Sequence, residues 1–180
     1  MTEKKQTDKK EKPNRRQQIL EVLAEMLEKN PGERITTAKL AKQVGVTEAA
    51  LYRHFPSKGK MFEGLLEFIE DSIFTRITKI NKDVEGGVDR LQRILIFVLA
   101  FAEKNPGLSC LMAGGALAGE KPKLRQRSSQ IFERLETEIR QVIREAEIRE
   151  KKSLRMTGTN GASMLVINLE GRIHQYVRSD

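Results

Sequence analysis

An all-α fold is what the sequence predicts, and three observations carry it. Apolar residues recur at three- and four-residue spacing through most of the chain, the period of an amphipathic helix. No stretch alternates polar and apolar side chains over the length of a strand. The strongest helix breakers, Pro31-Gly32, Pro56, Gly86-Gly87 and Pro106-Gly107, fall between the periodic segments. With 180 residues, 38% hydrophobic, the chain is long enough for one or two small domains with a real core.

Residues 1–14 are mostly Lys, Glu, Asp, Gln and Thr and cannot bury themselves, so a disordered basic arm is expected there. It serves as a phosphate tether or as a solubility tail. A first helix is predicted over 15–29, with Ile19, Leu20, Leu23, Met26 and Leu27 as its stripe, and Asn30-Pro31-Gly32 stops it. Thr36 then caps a short helix whose buried face is expected to be Ala38, Leu40, Ala41 and Val44. Gly45 supplies the left-handed position that ends it. Val46 plugs the corner, and Thr47 caps the next helix. Two helices joined by so short a turn form a helix-turn-helix, placing residues 15–57 in a three-helix DNA-binding domain. A helical hairpin of other purpose is the bland alternative.

Residues 58–180 are expected to form a helical body. Pro56 ends the recognition helix, and Ser57 caps a long fourth helix to about residue 82. Its stripe is Phe62, Leu65, Leu66, Ile69, Ile73, Ile77 and Ile80, with Phe74 opposite and Phe68 on the flank. After Gly86-Gly87, a fifth helix over 88–104 carries nine consecutive apolar residues, Ile94 to Ala102, and is predicted to be the central buried helix. Asn105-Pro106-Gly107 ends it, and a short helix covers about 108–117. Pro122 opens a seventh helix with the seam Ile131, Leu135, Ile139, Val142 and Ala146, closed off by Lys151, Lys152 and Gly158. The last helix is expected over 162–177.

Net charge is +8, unevenly spread. Residues 1–60 hold 14 Lys and Arg against 8 Asp and Glu, whereas residues 61–180 hold 19 against 17. The positive field therefore belongs to the segment with the helix-turn-helix, as for a polyanion-binding head on a near-neutral body. Within it, Thr36, Thr37, Thr47, Tyr52 and Lys58 suit phosphate or sugar contacts. Ala49, Ala50 and Arg53 face the groove, and Arg53 is the guanine reader. His54 suits either a phosphate or hinge packing beside Phe55. Glu48 suits either the helix dipole or a cytosine amine. One such unit reads few bases, so two copies about 34–36 Å apart on a palindromic site are expected if the chain dimerises. The face Met164, Leu165, Ile167, Leu169 and Ile173 exceeds what one thin helix needs.

Other classes are disfavoured. Cys110 is the single cysteine, without a second ligand nearby, and an inert buried thiol is expected. His174 stands alone. No His-x-x-x-His, no Cys pair, no glycine-rich phosphate loop and no Ser/His/Asp set is apparent, so neither metal, cofactor nor catalysis is expected. Met1 is followed by charged residues, and the longest apolar run is too short to span a bilayer. The arm lacks apolar residues to insert, which argues against membrane binding. A cytoplasmic setting is expected.

The continuation Leu51-Tyr52-Arg53-His54-Phe55-Pro56-Ser57-Lys58 resembles the DNA-binding module of the TetR family. Phe68-Ile69-Glu70-Asp71-Ser72, Glu103-Lys104-Asn105-Pro106-Gly107-Leu108 and Gln130-Ile131-Phe132-Glu133-Arg134-Leu135-Glu136 extend that resemblance toward the nucleoid occlusion branch of the family. The resemblance implies a TetR-like fold with a C-terminal dimerisation and regulatory domain. It implies a homodimer, of higher order on DNA in some cases, and a nucleoid location. The implied partner is FtsZ, the tubulin-like division GTPase, whose ring assembly over the nucleoid would be inhibited. By position, the FtsZ surface would comprise Phe68, Arg76, Phe97, Ala100, Lys104 and Asn105. Leucine, glycine and arginine are expected where Phe97, Ala100 and Lys104 stand. Residues 109–119 are also richer in glycine than the resemblance implies, and a further helix is expected beyond Asp180. The competing reading is a repressor released from DNA by a small ligand; the lack of Trp and the two tyrosines weigh against such a pocket.

Overall fold

A computed structural model of the chain describes residues 14–30, 33–150 and 156–179. Residues 1–13 of the expected basic arm, the Pro31-Gly32 stop and Lys151-Lys152 lie outside the described residues. Among the described residues eight α-helices follow one another: α1 (Arg15–Lys29), α2 (Thr37–Val44), α3 (Glu48–His54), α4 (Lys58–Asp83), α5 (Gly87–Lys104), α6 (Pro106–Met112), α7 (Pro122–Glu150) and α8 (Gly158–Ser179). A 3-10 turn at Gly115–Leu117 precedes α7. The described residues contain no strand.

The caps are the ones the local sequence specifies. Thr36, Thr47 and Ser57 each accept the backbone N–H three residues on, at 3.2 Å, and Asn14 caps α1. Core residues form one continuous cluster from Ile19 of α1 to Ile173 of α8. Head and body therefore share a single apolar interior.

The central helix is α4, not α5. It touches α1, α5, α6 and α7, and seven of its side chains, from Met61 to Ile77, are essentially inaccessible. On α5 the buried positions are Gly87, Arg90, Ile94, Val98 and Ala102, a single four-residue row. Its other flank leaves Val88 67% and Ile96 58% exposed. The apolar run around its circumference reflects a surface helix with a bare side. Phe74, off the main stripe, is buried as well, because α7 lies along that flank of α4 and sets the Arg134 guanidinium 3.8 Å over the ring. Ala38 is exposed. In a helix of eight residues the core side is fixed by Leu40, Ala41 and Val44, and Ala38 points well away from it.

The joint between α5 and α6 is tighter than expected. Asn105 ends one helix and starts the next, Pro106 sits in the first turn of α6, and the axis bends by 112°. Asn105 Nδ2 donates to the Phe101 carbonyl at 2.7 Å. Gly107 lies on the backbone of α1: a Cβ there would stand 2.3 Å from the Ala24 carbonyl oxygen and 2.9 Å from the Glu28 nitrogen. Only glycine permits that approach. The helix after the bend stops at Met112, five residues short of expectation, because Gly114 adopts a left-handed conformation with φ +77°.

Along α5 and α7 the join is ionic. Arg90, buried, donates to Glu145 at 2.8 Å, and the Gly87 N–H donates to Glu150 at 2.6 Å. The Arg90 guanidinium holds the Glu145 carboxyl below its ordinary pKa, helped by the Gln141 amide. The last helix begins four residues earlier than expected. On α8, Leu169 and Ile173 belong to the core of the same chain, while Met164 and Ile167 remain 60% and 66% exposed. Of the five-residue face expected for dimerisation, Leu169 and Ile173 are thus taken by the core and Met164 and Ile167 are left bare.

Candidate nucleic-acid interface

The α2–α3 corner is built from short-range chemistry. Gly45 takes φ +76°, and its N–H reaches back to the Ala41 and Lys42 carbonyls. The Val46 N–H donates to Ala41 at 2.9 Å, and the Val46 side chain packs on the core. Leu51, fully buried, anchors α3 from behind. That leaves Ala49, Tyr52, Arg53 and His54 on the outward side, all exposed, with Ala50 half-buried. His54 is exposed, next to the buried Phe55. Small side chains at Ala49 and Ala50 leave the helix slim enough for a groove wall, with Arg53 beside them.

Thr37, Glu48 and Tyr52 form a chain across the corner. Tyr52 Oη lies 3.4 Å from Thr37 Oγ1, which donates to Glu48 Oε2 at 2.7 Å. This cross-link fixes α3 against the start of α2. Thr36 and Thr47 are exposed and engaged as caps. Lys58 is turned inward, its Nζ 2.8 Å from Glu120 and 5.2 Å from the Phe62 ring centroid. The sequence signals that marked the corner gave no sign of this pairing, because Glu120 reaches Lys58 only through the docking of α7 on α4.

The residues implied as a partner surface divide into two groups. Phe68, 53% exposed, lines a groove of about 710 Å³ with Lys104 and Asn105, between α1, α4 and α6. Leu20 and Ala24 of α1 form its opposite wall, and Glu21, Glu25, Glu28, Glu67 and Asp71 surround it. The α1 wall was missed in the sequence: the stripe expected for the core includes Leu20, and nothing in its spacing points to Ala24 or to a groove. Arg76, exposed, and Phe97 and Ala100, both half-buried, stand outside this groove. Phe97 faces Phe101 with ring centroids 6.3 Å apart.

On the flank of α4, Arg127 of α7 straddles Glu70 through two nitrogens, at 3.4 and 3.2 Å. A hydrogen bond from Lys60, followed by its charge and those of Arg127 and Lys123, keeps the Glu63 carboxyl below its ordinary pKa. His174 lies 3.7 Å from Glu170, and Cys110 is buried. Among the described residues no three His, Cys, Asp or Glu side chains converge as metal ligands do. No single described helix is long and apolar enough to cross a membrane.

Comparison with known proteins matches this arrangement at both ends. Residues 19–65 fit the profile of the bacterial regulatory proteins of the tetR family, and residues 85–180 fit the SlmA-like C-terminal domain of tetracyclin repressor-like proteins. The nucleoid occlusion factor SlmA of Alteromonas mediterranea is 55% identical over 93% of this chain and 86% of its own length. That of Aliivibrio fischeri is 56% identical over 94% and 87%. Among solved structures, the fatty acid degradation regulator FadR of Bacillus halodurans superposes with a TM-score of 0.78 over 95% of this chain and 88% of its own, at 13% identity. A TetR-family regulator of Agrobacterium tumefaciens gives 0.76 over 89% and 86%, at 15% identity. The distant structures share the fold. With a TetR-type reading head, an SlmA-like body and more than half of its residues in common with these relatives, the chain belongs to the SlmA family of nucleoid occlusion factors.

Proposed function

We propose that two copies of this chain, joined through the exposed side of α8, read a palindromic duplex site and, while bound, engage FtsZ and antagonise its assembly over the nucleoid. The protein acts by binding, in the cytoplasm, without a cofactor. The observation that carries the reading is the outward side of α3, small at Ala49 and Ala50 and cationic at Arg53, on a head with the chain's positive excess. In this reading Thr36, Thr37, Thr47, Tyr52, His54 and Lys58 serve the phosphates, with Lys58 exchanging Glu120 for DNA, and Glu48 stays on Thr37 and sets the angle of α3. The FtsZ surface centres on Phe68, Lys104 and Asn105, with Arg76, Phe97 and Ala100 at its margins.

The test is light scattering of GTP-assembled FtsZ with the full chain, with and without a palindromic duplex recovered by selection from a random-sequence pool. The duplex is expected to deepen the loss of polymer. Scattering that the duplex leaves unchanged would overturn the FtsZ half of the reading and leave a DNA-binding regulator.

A further inference from the structure

One group of cations makes no ion pair among the described residues, although the charge of Lys123 is felt at Glu63. Residues 120–127 run Glu-Lys-Pro-Lys-Leu-Arg-Gln-Arg, across the start of α7. Two charges of this segment are satisfied inside the body: Glu120 holds Lys58 at 2.8 Å, and Arg127 holds Glu70 at 3.2 Å. The other three, Lys121, Lys123 and Arg125, are exposed and make no ion pair among the described residues. Among the described residues, the Arg125 side chain donates to the Glu120 carbonyl oxygen, at 3.4 Å.

Their position follows from how α7 docks. Leu124 Cδ1 lies 3.6 Å from where a side chain of Gly59 would begin, and Glu120 meets Lys58. The segment therefore stands against the first turn of α4, which starts just after the last residue of α3, His54, and the Phe55-Pro56-Ser57 link. The segment thus lies near the Arg53–His54 end of α3, with the Lys58–Glu120 pair between them. Lys121, Lys123 and Arg125 do not share one helix face, so they cannot form a compact pocket for one carboxylate. A spread of positive charge next to a groove-reading helix matches a phosphate rail.

We propose that Lys121, Lys123 and Arg125 are a second, sequence-blind DNA contact, made by the body on backbone phosphates flanking the half-site that α3 reads. The inference rests on the reading of α3 as the groove helix. It enlarges the footprint beyond the head and makes Glu120 the acid that separates the two cationic groups.

The experiment is fluorescence anisotropy of the full chain on the selected palindrome, with and without flanking duplex, across a salt series. The variant K121Q/K123Q/R125Q is compared with K79Q/K82Q, which removes exposed charge at the far end of α4, and with the charge-keeping K121R/K123R/R125K. Three lost phosphate contacts are expected to make the slope of log affinity against log salt shallower by about 2–3. The loss should be alike on selected and random duplexes. Trimming the flanks should bring the wild type down to the triple variant and leave that variant unaffected. An unchanged slope, an equal change in K79Q/K82Q, or a loss in the charge-keeping variant as large as in the glutamine variant would each overturn the proposal. A separate arm with Arg53→Ala tests the reading of α3: equal losses on selected and random duplexes there would remove that premise, whatever the flanks do.

Discussion

Along α3 the outward side chains are Ala49, Tyr52, Arg53 and His54; along α8 they include Met164 and Ile167. Both helices are anchored from behind by buried aliphatics, Leu51 in one and Val166, Leu169 and Ile173 in the other. What differs is the chemistry left in water. The first face is thin and cationic, able to enter a groove between phosphate chains. The second is aliphatic, the kind of surface that a second identical helix covers at a twofold axis. The difference teaches that the backs of the helices specify the fold, and the fronts, which the fold does not need, specify the company it keeps.

The largest expected effect removes the joint on which both faces depend. Gly107→Ala would drive a methyl group into the α1 backbone, where no rotamer can relieve it, at an expected cost of about 3 kcal/mol or more. Thermal unfolding should then fall by roughly 6–12 °C. An unchanged midpoint would show that α1 and α6 can part freely. Next, Ile167→Glu places a charge in the proposed self-contact. Sedimentation should show dimer dissociation about a hundredfold easier, or about 3 kcal/mol. A variant that still sediments like wild type would move the self-contact elsewhere. Arg53→Ala tests the opposite face. It should lose about 1–3 kcal/mol on the selected palindrome and much less on random duplex, without change in oligomeric state. Equal losses would demote Arg53 to a phosphate contact.

The smallest effect concerns the scaffold between the two faces. The Arg90 guanidinium lowers the folded-state pKa of Glu145, so that carboxylate stabilises the fold above its unfolded pKa. The contribution fades as pH falls through the depressed folded value. Denaturant melts from about pH 6 downward should show wild type losing more stability below about pH 4.5 than Glu145→Gln, which has no proton to take up there. Parallel curves would leave the pair without a share in acid sensitivity.

What could be read from the sequence was whatever is decided within a few residues. Thr36, Thr47 and Ser57 act on N–H groups three positions away, and Gly45 answers a local demand for a left-handed turn, so the reading head was legible almost residue by residue. The seam Ile131, Leu135, Ile139 and Val142 is likewise its own signal. The failures share one cause. Whether Phe74 is covered, whether Ile96 is bare, and where Lys58 finds its counter-charge depend on which helix lies alongside, and that is decided by segments distant in the chain. For the same reason periodicity placed Leu169 and Ile173 on a shared apolar face without showing that the packing of α8 on α5, α6 and α7 buries them. The groove at Phe68 needed the position of α1, which no motif in α4 encodes.

The bare peptide of Gly107, seated on the α1 main chain, leaves no compressible side chain to absorb motion between the two segments. α1 and α6 are thereby held at a fixed spacing, and the 112° bend at Asn105 fixes α5 relative to both. The trough that holds Phe68 and Lys104 is lined by Ala24 and Gly107 too, so its width is set by that same backbone contact.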